Sequence, residues 1–293
     1  MATASLSLAA CSSGTTATTT TGTTTTTTTT TGTATTAPSG SSTSTPGPST
    51  TAPMAPVTVS LYWVRGGTSL GVSHRSIPAT PGIGSASVNA LFGGTNSTES
   101  STGLTSTIPT GSKLLGLSIA NGIATANFNS AFASGGGSFS MQARIAQVVF
   151  TLTQFSTVQK VLFQLNGVTT TTFGAEGLVL DHPVGRSDEV SLLPPIFVEN
   201  PAVGDSVHSP LHVTGMANTY EATFQVQLVD AAGHTVVDHF VMATAGTGTW
   251  GTFDATFKYT TASAGPGKVV VFEISAKDGS HINQVDIPLA VGP

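Results

Sequence analysis

Ser138–Gly167 reads SFSMQARIAQVVFTLTQFSTVQKVLFQLNG, and this stretch decides the fold of the first half of the chain. Met141, Ile145, Val148, Val149 and Leu152 fall at i, i+4, i+7, i+8 and i+11, a continuous apolar stripe that predicts a helix over Ser138–Phe155. The period then changes. Val161, Phe163 and Leu165 alternate with polar neighbours as a strand does and run into Asn166-Gly167, a two-residue turn signal. Upstream, Leu115, Leu117 and Ile119, then Asn121-Gly122, then Ile123, Thr125 and Asn127 predict a hairpin. Ser85–Phe92 (SASVNALF) predicts a short helix capped by Ser85 and ended by Gly93-Gly94. Val57, Val59, Leu61 and either Tyr62 or Trp63 sit in an alternating strand. The order is β-α-β-β-α-β, an α+β domain over 57–191 with helices packed on a small sheet.

From Pro194 the helical period disappears. Candidate strands are Ile196–Glu199, Leu211–Met216, Ala222–Val229, Val236–Ala243, Gly251–Tyr259, Val269–Ala276 and Ile282–Val291, each bounded by Gly, Pro or Asp turns. Seven strands in about 100 residues suit an all-β immunoglobulin-like sandwich over 194–293. Trp250, Phe253, Phe257 and Phe272 are its expected core aromatics. Tandem Pro194-Pro195 and the change of composition there predict two domains that fold separately.

Before the first strand, residues 12–56 are almost wholly Thr, Ser, Gly, Ala and Pro, with unbroken threonine from Thr23 to Thr31. Apolar residues there are too few and too small to offset the entropy of ordering, so this segment is expected to be a disordered tether. It follows Leu8-Ala9-Ala10-Cys11, which resembles a bacterial lipobox, so residues 1–11 read as a signal leader and Cys11 as the lipidated residue. The leader is short and lacks basic residues, as one cut short at its start would.

Composition narrows the function. The chain has 293 residues, of which only 8% are charged, with 9 Lys and Arg against 14 Asp and Glu; an average soluble protein carries about a quarter. Clustered cations are missing, which excludes phosphate neutralisation and so a nucleic-acid partner. One cysteine excludes an intrachain disulfide and a cysteine-rich zinc site. The first charged residue is Arg65, whereas the last hundred residues hold three lysines against nine acids.

Four stretches of the first half resemble one family. The run Leu61-Tyr62-Trp63, the helix end LFGGT (Leu91–Thr95), GLTSTIPTGSKLLGLSIANGIATANFN (Gly103–Asn129) and RIAQVVFTLTQFSTVQKVLFQLNG (Arg144–Gly167) resemble the sporulation and spore germination domain called GerMN. PPIFVENPAVGDSVHSPLHVTGMANTYEATFQVQLVD (Pro194–Asp230), GTWGTFDATF (Gly248–Phe257) and VVFEISAKDGS (Val270–Ser280) resemble the immunoglobulin-like domain of bacterial spore germination. The two occur in this order in the family. The resemblance implies an extracytoplasmic lipoprotein with no established enzyme activity and a scaffold role.

Candidate reactive groups fail on context. Gly67-Thr68-Ser69-Leu70-Gly71 matches G-x-S-x-G, but Pro78 and Pro81 prevent the helix that a nucleophile elbow needs, so a turn is expected. His208 and His212 are split by Pro210, and His234 and Asp238-His239 lie on neighbouring strands; exposed histidines are the better reading than a metal site. Asp278-Gly279 lacks the acidic series of a calcium loop. Asn96-Ser97-Thr98 fits a glycosylation acceptor. Arg144, on the long helix, is expected to reach an acid or to snorkel, the latter being commoner. No catalytic residue, metal or cofactor is therefore assigned. The reading is a non-catalytic, lipid-anchored binding or scaffolding protein on the outer face of the cell membrane, with an envelope-protein or cell-wall partner. The alternative is a component of cell-wall hydrolysis, which needs a cleft with convergent Asp, Glu, His or Ser.

Overall fold

A computed structural model describes residues 55–174 and 177–293. Cys11, its leader and nearly all of the expected tether lie outside the described residues.

The first half runs β1 (Val57–Arg65), β2 (Ser69–Ile77), α1 (Ile83–Phe92), α2 (Ser97–Ser101), β3 (Leu104–Thr105), β4 (Leu114–Ala120), β5 (Ile123–Phe128), α3 (Ser138–Leu152), β6 (Lys160–Leu165) and β7 (Val168–Thr169). Short strands β8 (Thr172–Phe173), β9 (Leu178–Val179) and β10 (Val184–Gly185) follow, then a 3-10 helix over Arg186–Leu192. The strands divide between two main sheets. One has the order β2-β1-β3; the other has the order β10-β6-β5-β4, with β7 on β6. The Asn-Gly turn between β4 and β5 forms as its chemistry demands, with φ of 51° at Asn121 and 79° at Gly122.

Helix α3 starts at Ser138 and ends at Leu152 rather than Phe155, and Thr153 Oγ1 donates to the Val149 carbonyl at its end. Every residue from Ala143 to Leu152 is buried, so the helix is enclosed rather than laid on one sheet face. The apolar stripe seen in the sequence is only part of what it buries. Strand β1 is likewise covered on both sides. Val59, Leu61 and Trp63 join α1 and α3 in one core, while Tyr62 and Val64 join a second. Trp63 and Tyr62 are thus both inside, on opposite faces of the strand.

The second half is a two-sheet sandwich. It comprises β11 (Ile196–Asn200), β12 (Ser206–Val207), β13 (Leu211–Ala217), β14 (Thr223–Val229), β15 (Thr235–Met242), β16 (Gly251–Phe257), β17 (Gly265–Ile274) and β18 (His281–Val291). The sheets are ordered β11-β13-β16 and β12-β18-β17-β14-β15. Each expected strand forms, and β12 is the addition, pairing parallel to the end of β18. Phe224 and Phe253 meet edge to face at 4.9 Å in the core. Phe272 is also buried, but its pairing with Gln225 puts it on the other face of the large sheet, beneath His281 at 3.6 Å. Trp250 and Phe257 are only half-buried.

The two halves belong to one compact unit. Their shared core gathers Tyr62, Val64, Leu70, Val72 and Phe150 from the first half with Phe197 and Ala202 from the sandwich, and Leu192 and Leu193 from the link. The rings of Tyr62, Phe150 and Phe197 lie 5.3–6.2 Å apart. Ser73 and Val203 form an isolated parallel bridge, in which the Val203 amide donates to the Val72 carbonyl at 3.2 Å. The composition break at Pro194-Pro195 marks a change of architecture, yet apolar surface is buried continuously across it. The two domains are thus in apolar contact in the folded chain.

Candidate functional site

A polar recess lies where the halves meet. It encloses about 590 Å³ and is walled by β1, β2, the end of α3 and the 3-10 helix on one side and by β11, β13 and β16 on the other. Tyr62 projects into it because β1 alternates, and Glu199 reaches it from the irregularity that β11 makes between Val198 and Asn200.

Arg186 is the hub. Nη1 donates to Glu199 Oε1 at 2.7 Å, Nη2 to the Tyr62 hydroxyl at 3.0 Å and Nε to Thr153 Oγ1 at 2.9 Å. The Tyr62 hydroxyl donates in turn to Glu199 Oε1. The guanidinium also stands 4.8 Å from the Phe150 ring centroid. Burial first, then the Glu199 carboxylate, push the Tyr62 phenol far above its ordinary value, so it remains a donor. Burial works against the Arg186 charge, but Tyr62 and Glu199 more than offset it. Alongside, His74 Nδ1 meets Asp205 Oδ2 at 2.8 Å. These groups satisfy one another across the junction and form a clasp.

A second buried network supports β2 from behind. Trp63 Nε1 donates to Ser73 Oγ at 2.8 Å, Ser73 Oγ to Glu99 Oε1 at 2.5 Å, and Arg75 Nε to the same oxygen at 2.9 Å. Glu99 also closes the cap of α2, accepting from the Asn96 amide at 2.7 Å while its own amide donates to Asn96 Oδ1. Burial alone would raise the Glu99 carboxyl. The bonds from Arg75, Ser73 and Asn96, with the Arg75 charge, outweigh it and hold the carboxyl below its usual range.

The residues singled out in the sequence are not brought together. Ser69 opens β2 after a turn through Gly66-Gly67, so strand leads to strand and the elbow reading gives way to a hairpin. His212 pairs with Asp254 at 2.7 Å, His234 lies 3.7 Å from Asp230, and His239 stacks on Phe257 at 5.3 Å. Asp238 accepts from Gln225, and His208 packs beside Gly292. Among the described residues no group of three or more His, Cys, Asp or Glu is placed to hold a metal. Asp278 Oδ1 accepts from Ser280 within its turn. The Asn96 side chain is spent as the α2 cap.

Arg144 corrects the sequence reading. It neither reaches an acid nor snorkels: it is 1% exposed and donates to the carbonyls of Thr107, Phe132, Ser134 and Gly135 at 2.7–3.1 Å. Carbonyls orphaned by the irregular segments around α3 thus converge on one rigid fork of donors. The clasp residues Tyr62, Arg186 and Glu199 went unassigned in the sequence. A signal was present, since a chain with four arginines has each of them engaged inside the fold: Arg65 on the Asp286 carbonyl, Arg75 on Glu99, Arg144 on carbonyls and Arg186 on Glu199.

An α+β domain with an enclosed helix, docked on an immunoglobulin-like sandwich through a polar clasp, defines a two-domain module. Residues 60–171 match the family model described as sporulation and spore germination, and residues 195–280 match that of the immunoglobulin-like domain of bacterial spore germination. Residues 60–171 therefore carry a sporulation and spore germination domain, and residues 195–280 the immunoglobulin-like domain that follows it. Similar solved structures include the first GerMN domain of the sporulation protein GerM from Bacillus subtilis, 20% identical over 45% of this chain and 99% of that one, at a TM-score of 0.40. The tandem GerMN domains of the same protein are 16% identical over 71% and 63%, at 0.40. A putative lipoprotein from Clostridium perfringens is 20% identical over 46% and 90%, at 0.34. No curated protein matches the chain.

Proposed function

We propose that this protein is a non-catalytic binding or scaffolding component of the bacterial cell envelope, held on the outer face of the membrane by a lipid on Cys11 and acting in sporulation or germination. The two family matches, in this order, support the germination role. The observation that carries the non-catalytic reading is the commitment of the recess chemistry: Tyr62, Arg186 and Glu199 are bound to one another across the junction.

No helix among the described residues is long and apolar enough to cross a membrane, a statement that does not bear on strand-built spans. A lipid on Cys11 would supply attachment, since two acyl chains hold stably where one holds marginally. Cys11→Ala should move the protein from the membrane fraction to the medium or block its processing. Retention of the variant after a salt wash would refute the anchor. For the role itself, deletion of the gene in its host should lower sporulation or germination efficiency, restored by the wild-type chain. Normal efficiency of both would refute it.

A further inference from the structure

We propose that Glu189 is a proton-dependent latch on the junction: neutral, it lets the 3-10 helix lie against α3 and hold Arg186 on Glu199; ionised, it releases that helix.

The placement carries the argument. Arg186–Leu192 is the last element before Pro194-Pro195 and the sandwich. Its first residue makes the clasp and its last, Leu192, enters the shared core, so its docking decides whether both contacts hold. Glu189 sits midway between them, 5% exposed, and its Oε2 has no hydrogen-bond partner. A buried carboxylate oxygen left so is costly, whereas a neutral carboxyl is tolerated far better.

Among the described residues no cation neutralises it. On its own helix, Arg186 is committed to Glu199, and Asp188, whose Oδ2 accepts from the Gly185 amide, adds like charge. From α3 the neutral Gln142 amide helps, and Arg144 is held by carbonyls. From the segment before the helix, His182 turns to Asp181 at 2.6 Å and stands 3.7 Å from Asp188. Lys160, on the strand paired with β10, packs its stem under Gly185. Burial therefore dominates, with Asp188 adding to it and Gln142 opposing, and the Glu189 carboxyl is pushed up from 4.5 to about 7.

A released helix hydrates the carboxyl and returns it to its ordinary range. Opening is then favoured as pH rises from 4.5 through 7, and the gain is complete above that. Those two values make the opening equilibrium rise by roughly 70-fold between pH 5 and pH 8.

The test is amide hydrogen exchange of the full chain, normalised for intrinsic rates, from pH 5 to pH 8. Protection of Arg186–Leu193 should fall roughly 70-fold in the wild type and stay level in Glu189→Gln, while β14 is unchanged in both. Equal loss in the two proteins, or none in the wild type, overturns the proposal. A measurement that needs no variant is the ¹³C shift of the Glu189 side-chain carboxyl. A midpoint near 7 supports the latch, and one near 4.5 overturns it.

Discussion

Replacing Arg186 by methionine tests whether the clasp joins the domains energetically. The substitution keeps apolar bulk against Phe150 and removes the hydrogen bonds to Glu199 at 2.7 Å, Tyr62 at 3.0 Å and Thr153 at 2.9 Å, with a long one to the Phe150 carbonyl at 3.5 Å. Charge-assisted bonds contribute about 1.5–3 kcal/mol each when buried. Arg186 and Glu199 are each 23% exposed, so water can rehydrate the stranded carboxylate. The loss should lie between the ~0–1 kcal/mol of a surface pair and the ~3–5 kcal/mol of a broken buried one, at about 2–3 kcal/mol. In a double-mutant cycle with Glu199→Gln, the coupling should be about 1–2 kcal/mol. Urea unfolding of the full chain gives these values. Of the two tryptophans, Trp63 on β1 reports the first half, and Trp250, just before β16, reports the sandwich where it packs against the shared core. Within each of the variants Trp250→Phe and Trp63→Phe, tryptophan emission and far-ultraviolet circular dichroism should report one shared midpoint, which Arg186→Met lowers or splits in two. A coupling below about 0.3 kcal/mol, or wild-type transitions already separate, would refute the clasp and restore the picture of independent domains.

Three further outcomes follow from single sites. Arg144→Met strands four carbonyls and should cost about 3–5 kcal/mol in urea; Arg144→Lys should recover little, because one ammonium cannot span the fork. Gly215→Ala should cost about 2–4 kcal/mol and lower the melting temperature, since its Cβ would meet the Phe197 carbonyl and lie 2.8 Å from the Phe253 ring. Glu99, held below its usual range, stabilises the fold fully above its unfolded value of 4.5 and loses that contribution as pH falls through its folded value. Acid titration of wild type against Glu99→Gln, read by circular dichroism, should show a shallower loss in the variant.

Local periodicity and turn chemistry were enough to read the start of α3, the Asn121-Gly122 hairpin and the strands of the sandwich, because each depends on neighbours along the chain. Strand β2 was not legible. Its run SLGVSHRSI places Ser73 and Arg75 across from Leu61 and Val59, on a face where apolar residues are expected, and His74 on the other face; these become intelligible only when Glu99 and Asp205 are brought to them. The enclosure of α3 was hidden for a related reason. Arg144 and Gln147 look like a solvent face, yet fold inward once carbonyls and the Tyr62 backbone are there to receive them. Residue order alone separated an α+β half from a β half at Pro194-Pro195. Only the tertiary structure joined them, because a hydrogen bond between residues as far apart as Tyr62 and Glu199 leaves no periodic trace in the chain.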